Sequence, residues 1–135
     1  MRIGELAAEV GLTTKTIRFY ESIGLLAEPP RTPGGYRTYD HLAVDRLRFV
    51  RQAQATGLSL AEIGSILEIK GEGGQSCAHT RALLDRHLAD LDRQIIRLRV
   101  ARDDLALLAT RAADLDPAAC TDPNRCQVIS ERMIR

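Results

Sequence analysis

The sequence predicts a mainly α chain, with a helix-turn-helix head, a loop or small β wing, one long helix and a short cysteine-bearing tail. Three observations predict it. Two short apolar-periodic segments near the amino end are joined by a glycine-containing turn. A proline- and glycine-rich stretch interrupts the helical pattern before two further helices. An apolar seam with gaps of three and four then persists for about four heptads, the mark of a helix that packs on another long helix.

The first helix is predicted over Gly4 to Val10, with Ile3, Leu6, Ala7 and Val10 on one face. Gly11 follows where the chain turns in the left-handed region. Thr13 or Thr14 caps a second helix, which runs to Ser22, buries Ile17 and Tyr20, and is closed by Gly24. From Glu28 to Thr38, Pro29, Pro30, Pro33, Gly34 and Gly35 forbid a helix, and Tyr36 to Tyr39 reads as a short extended segment. Asp40 caps a third helix, His41 to Thr56, with Leu42, Val44, Leu47, Val50 and Ala53 inward and Gly57 at its end. Ser59 and Glu62 form a capping box that opens a fourth helix to about Lys70, with Ile63, Ile66 and Leu67 as its apolar stripe.

After a break at Gly71 to Ser76, the long helix runs from near Cys77 to about Ala113. Its seam is Leu84, Leu88, Leu91, Ile95, Leu98, Leu105, Ala109 and Ala112, with Arg102 at the one missed position. Such a rod is roughly 50 Å long, more than a globule of this size can cover, so a dimer through this helix is the simplest solution. The tail carries Cys120 and Cys126, then a short amphipathic end from Val128 to Ile134.

Composition narrows the function. Of 135 residues, 44% are hydrophobic and 27% charged, which excludes wholesale disorder. No apolar run approaches the ~20 residues of a membrane span, and Met1 to Glu5 begins no secretory signal, so a cytoplasmic location without membrane contact is expected. Five aromatics without tryptophan argue against an aromatic-lined small-molecule pocket. No Cys, His and Asp stand at catalytic spacing, so no enzyme is expected.

The net charge of +1 averages two unlike halves. Between Lys15 and Arg51 there are seven basic residues (Lys15, Arg18, Arg31, Arg37, Arg46, Arg48, Arg51) against four acidic, a balance of +3. Residues 71 to 135 balance at ten against ten. Lys15 and Arg18 share one face of the second helix, flanked by the hydroxyls of Thr14 and Thr16. A helix of this kind can lie in a major groove, where Arg and Lys read guanine edges. Arg31 and Arg37, with the two wing tyrosines, suit phosphate contacts that fix register. Arg46 and Arg48 are equally readable as plain helix-face charges.

The run Ile17-Arg18-Phe19-Tyr20-Glu21-Ser22-Ile23-Gly24-Leu25-Leu26, then Arg31, then Gly35-Tyr36-Arg37-Thr38-Tyr39 closely resembles the amino-terminal domain of the MerR family of transcription regulators. Leu47 to Val50 and Gly57 to Ile63 match as well. The resemblance implies a winged helix-turn-helix with a two-helix connector over residues 1–70, a hinge over 71–80, an antiparallel coiled-coil dimerisation helix over 77–114, and a metal-binding loop and tail over 115–135. It implies a homodimer at promoter DNA that distorts an overlong spacer so that RNA polymerase engages both elements. It also implies Arg18 and Tyr20, with Arg31, Tyr36, Arg37 and Tyr39 around the wing, as DNA contacts.

The effector is expected from the tail. Only about twenty residues follow the long helix, too few for the drug-binding domain of other members, and three cysteines are too few for an iron–sulfur sensor. Cys77 lies at the start of the long helix, and Cys120 and Cys126 lie past its end. In an antiparallel pair, the start of one helix meets the end of the other, giving two three-thiolate sites per dimer that suit soft or borderline metals. In the resembling metal-responsive branch, a cysteine at the place of Cys77 goes with divalent ions and a serine with monovalent copper, silver or gold. A divalent effector of the Zn, Cd, Hg or Pb group is therefore expected, with His79 as a further candidate nitrogen ligand. The Cys120–Cys126 loop is shorter than is usual in the family, so metal selectivity does not carry over. A Cu(I)-type sensor and a thiol-based oxidant-responsive regulator are the alternatives on this scaffold. His41 and His87 are expected to be structural.

Overall fold

The computed structural model describes residues 1–129. Five α-helices and one 3-10 turn carry the described chain: α1 (Ile3–Val10), α2 (Thr14–Ser22), α3 (His41–Ala55), α4 (Leu60–Gly71), α5 (Cys77–Asp114), and a 3-10 turn at Pro117–Ala119. The chain divides into two compact units, Met1–His87 and a second beginning at Leu88. The expected amphipathic end, Val128 to Ile134, falls outside the described residues beyond Ile129.

Three helices of the first unit, α2, α3 and α4, start where a side chain satisfies free amide groups. Thr13 accepts from the Thr16 N–H at 3.1 Å. Asp40 accepts from Leu42 and Ala43 at 3.0 and 3.3 Å. Ser59 and Glu62 exchange two bonds at 3.1 and 2.9 Å, the reciprocal capping box. Gly11 ends α1 at φ +70°. A Cβ there would meet the Arg51 guanidinium at 2.6 Å, the same group that donates to the Val10 carbonyl.

These helices converge on one core, in which Leu6, Ile17, Leu47, Val50 and Ile63 are fully buried. Each such side chain contributes about 1.5–3 kcal/mol of burial. Leu83, from the first turns of α5, joins the same cluster. Leu42 corrects the expectation: it is 63% exposed. At 100° per residue it lies about 200° around α3 from the buried Val44, nearly the opposite face.

Between α2 and α3 the chain makes a hairpin closed by a single antiparallel bridge, Arg31 to Arg37. Thr32 donates to the Tyr36 carbonyl at 2.7 Å, Gly35 to Thr32 at 2.8 Å, and Thr38 to Pro30 at 3.0 Å. Gly35 takes φ +83°, which the tight turn requires. This is the expected wing, without a full strand among the described residues.

The second unit has a different balance. Leu88, Leu91, Ile95, Leu98 and Leu105 are all exposed in the single chain, Leu98 at 68%. The heptad seam thus forms on a helix and stays exposed among the described residues of its own unit.

Candidate DNA-reading face and thiol loop

α2 is anchored from beneath and presents cations outward. Ile17 and Tyr20 are its buried residues, while Lys15, Arg18 and Phe19 are exposed. Thr14 and Thr16 are half-buried, and the Thr16 hydroxyl lies 2.9 Å from that of Thr13 as part of the cap.

Two expected contacts are not surface groups. Tyr20 is 4% exposed and donates its hydroxyl to Gln54 Oε1 at 3.1 Å. Tyr39 is 5% exposed and donates to the Glu21 carboxylate. Both rings are packed into the core of the head, and both hydroxyls are engaged within the chain. Burial, reinforced by Glu21, pushes the Tyr39 hydroxyl up to about 12. The burial of Tyr20 is the one periodicity predicts, since Tyr20 stands three residues after Ile17 on the same helix face.

The structure also sorts the arginines. Arg46 reaches the Leu25 carbonyl at 3.4 Å, Arg48 pairs with Glu9 at 3.8 Å, and Arg51 holds the Val10 carbonyl at 2.6 Å. These three brace α3 against its neighbours. Arg18, Arg31 and Arg37 instead line one depression of about 320 Å³ together with Tyr36 and Arg2. Arg31 Nη1 donates to the Gly35 carbonyl at 2.9 Å, and Arg37 pairs with Glu21 at 3.2 Å. Arg2 is the residue that sequence reasoning missed. It stands alone ahead of α1, and only the return of the wing to the chain start brings it to the other cations.

The three thiols are exposed and free. Cys77 is the first residue of α5, beside the buried Ser76. His79 Nε2 lies 2.8 Å from the Ser65 hydroxyl, which in turn donates to the Glu62 carbonyl at 2.6 Å, so one ring nitrogen is tied to α4. His87 has the structural role expected of it: its Nε2 lies 2.8 and 3.1 Å from the two Glu62 carboxylate oxygens. Hydrogen bonding from the Ser59 backbone, then from His87, brings the Glu62 carboxyl down to about 2.

In the second unit, Cys120 and Cys126 line a common cleft of about 310 Å³ with Arg111, Asp122 and Arg125. The loop between them is self-braced. Asp122 accepts from the Asn124 N–H at 2.9 Å and from Arg125 Nε at 3.0 Å. The Gln127 N–H points at Cys120 Sγ, 3.4 Å away, and Arg111 donates to the Gln127 carbonyl at 3.2 Å. Among the described residues of one chain, no three His, Cys, Asp or Glu side chains gather into a ready ligand set.

Comparison with known proteins agrees with this architecture. Residues 1–69 match the model of the MerR HTH family regulatory protein, and residues 44–108 match that of MerR, DNA binding. The chain is 35% identical over 120 residues to the HTH-type transcriptional regulator CueR of Salmonella typhimurium, covering 89% of this chain and 87% of that one. It is 39% identical over 98 residues to the mercuric resistance operon regulatory protein of Bacillus cereus, covering 73% and 74%. Among solved structures, the transcription regulator PbrR691 of Ralstonia metallidurans CH34 in complex with lead(II) superposes with a TM-score of 0.75, at 34% identity and 95% coverage of both chains. With a capped recognition helix, a wing and a long apolar-seamed helix in that order, the chain belongs to the MerR family of helix-turn-helix transcription regulators and is a DNA-binding protein rather than an enzyme.

Proposed function

We propose that this chain is a metal-responsive transcription regulator that works as a homodimer on promoter DNA. The observation that carries the reading is an apolar seam exposed along α5 with free thiols in the sequence at both of its ends. An antiparallel pairing of two α5 helices covers the seams and sets Cys77 of each protomer toward Cys120 and Cys126 of the partner subunit. The incomplete donor set within one chain supports a shared site, and thiolates suit a soft ion. Likeness to a mercuric resistance regulator and to a lead(II)-bound regulator supports a soft divalent effector of the Zn, Cd, Hg or Pb group. Held by Ser65 through Nε2, His79 joins such a set only through its other ring nitrogen.

On the DNA side, Lys15 and Arg18 enter the major groove from α2, with Thr14 and Thr16 at the helix start beside the backbone. Arg31, Tyr36 and Arg37 hold the phosphates from the wing. The dimer has two head arrangements, only one of which lets RNA polymerase engage both promoter elements. Effector binding shifts that balance by its differential affinity for the two states.

The test is a promoter reporter read against Zn, Cd, Hg, Pb and Cu(I) in the parent chain and in Cys77→Ser, Cys120→Ser and Cys126→Ser. Induction by a divalent ion, lost in each variant while DNA binding persists, is the expected result. Induction by Cu(I) alone, or by an oxidant with no metal bound under reducing conditions, replaces the reading. Retained induction in all three variants ends it.

A further inference from the structure

We propose that Arg2 is a third phosphate-binding cation of the head, beside Arg31 and Arg37, positioned by the wing residue Tyr36; this rests on the DNA-binding reading and extends it to the chain start. The Arg2 guanidinium carbon lies 4.2 Å from the centroid of the Tyr36 ring. A guanidinium held over a tyrosine ring is positioned by the π face without using up its N–H donors, which stay available to a phosphodiester. Tyr36 is itself exposed on the wing, so the stacked pair stands at the surface.

The backbone of Arg2 is held from two sides. The Tyr39 N–H donates to the Met1 carbonyl at 2.7 Å, which ties the chain start to the strand-like end of the wing. The Glu5 carboxylate accepts the Arg2 N–H at 3.3 Å, and the Arg2 carbonyl accepts from Leu6 at 3.0 Å, which ties it to α1. The side chain therefore projects between the recognition helix and the wing, into the depression shared with Arg18, Arg31 and Arg37.

Charge completes the argument. Arg37 is already paired with Glu21, and one Arg31 nitrogen is engaged by the Gly35 carbonyl. Arg2 and Arg18 have no ion-pair partner among the described residues, yet both line the same concave surface. Glu21 answers Arg37 alone, so the other cations drawn to this surface repel one another unless a further anion enters between them. A duplex backbone passing over the wing supplies that anion, and the contact is indifferent to base sequence.

The experiment is fluorescence anisotropy with the full chain on two labelled duplexes of about 30 bp, one from the region upstream of its own gene and one scrambled, between about 50 and 200 mM salt. Arg2→Ala weakens binding to both duplexes by the same factor and flattens the slope of log K against log salt by about two per dimer, one phosphate per head. Arg2→Lys keeps the slope, because the charge stays. An unchanged slope in Arg2→Ala, a loss confined to the upstream duplex, or a flattened slope in Arg2→Lys overturns the assignment. Should the parent chain bind neither duplex, the DNA-binding reading itself has failed; parent binding with an inert Arg2→Ala removes Arg2 alone.

Discussion

The two units of this molecule bury their apolar residues in opposite ways. Met1–His87 closes a core over Leu6, Ile17, Leu47, Val50 and Ile63, none of which retains solvent contact. From Leu88 onward, α5 carries leucines and isoleucines of similar number and leaves all but the half-buried Leu108 exposed. Both segments have a helical apolar period, so pattern alone does not separate them. What separates them is chain connectivity. Short helices joined by tight turns fold back on each other, whereas an uninterrupted long helix has nothing of its own to fold against. The head is therefore complete in one copy, and the rod is complete only with another.

Breaking the seam is expected to have the largest effect. Ile95→Asp introduces a charge where two apolar stripes meet, and symmetry places it there twice. Sedimentation equilibrium at micromolar concentration should find the parent chain dimeric and the variant monomeric, with helical content of the head retained. A variant that stays dimeric removes α5 as the interface. Leu47→Ala acts on the other unit. It should cost about 2–5 kcal/mol of head stability through the cavity it leaves. Its thermal midpoint should fall at every protein concentration, whereas that of a seam variant such as Leu98→Ala should fall most at low concentration.

Much of this contrast was legible in the sequence, and the exceptions have physical causes. Asp40, Ser59 and Thr13 announced their helices because a cap needs only a short side chain at one position. The core positions Val44, Leu47 and Val50 followed from period alone. Leu42 did not, because the first turn of α3 begins off the buried stripe, and hydrophobicity without angle placed it inward. Tyr39 is more buried than its place in the wing suggests, for a different reason. A tyrosine in a basic wing looks like a phosphate contact, but its ring is held inside by Glu21, which lies eighteen residues earlier. Arg2 was silent because its neighbours in space come from α2 and the wing, and no local window joins them. Helix angle, a local rule, decides Leu42, whereas tertiary closure decides Tyr39 and Arg2.

A middle-sized effect tests whether the head reads DNA as assigned. Arg18→Ala should weaken operator binding by about 10-fold or more, as expected for loss of a bidentate base contact of about 1–3 kcal/mol in each head. Arg97→Ala, an exposed arginine of the second unit, should leave binding within error. Equal losses from both would place the reading surface somewhere other than α2.

The smallest effects are in the titration of the head, and their signs differ. Tyr39 has its hydroxyl raised to about 12 from an ordinary value near 10 by burial first and Glu21 second. A raised group stabilises the fold fully below the unfolded value, and that contribution is lost as pH climbs through about 12. Glu62 behaves oppositely. Its carboxyl is lowered to about 2, so its contribution is present above the ordinary value near 4.5 and disappears as pH falls toward 2. Tyr39→Phe should therefore remove part of the alkaline loss of stability between about pH 10 and 12 and leave the acid limb unchanged. Glu62→Gln should flatten the acid limb below about pH 4.5 and leave the alkaline one unchanged. Urea unfolding midpoints across both ranges separate the two. Since α5 beyond Leu88 holds neither group, a seam variant should retain both limbs at their parental pH. Movement of either limb in Ile95→Asp would mean that the head is not complete in one copy.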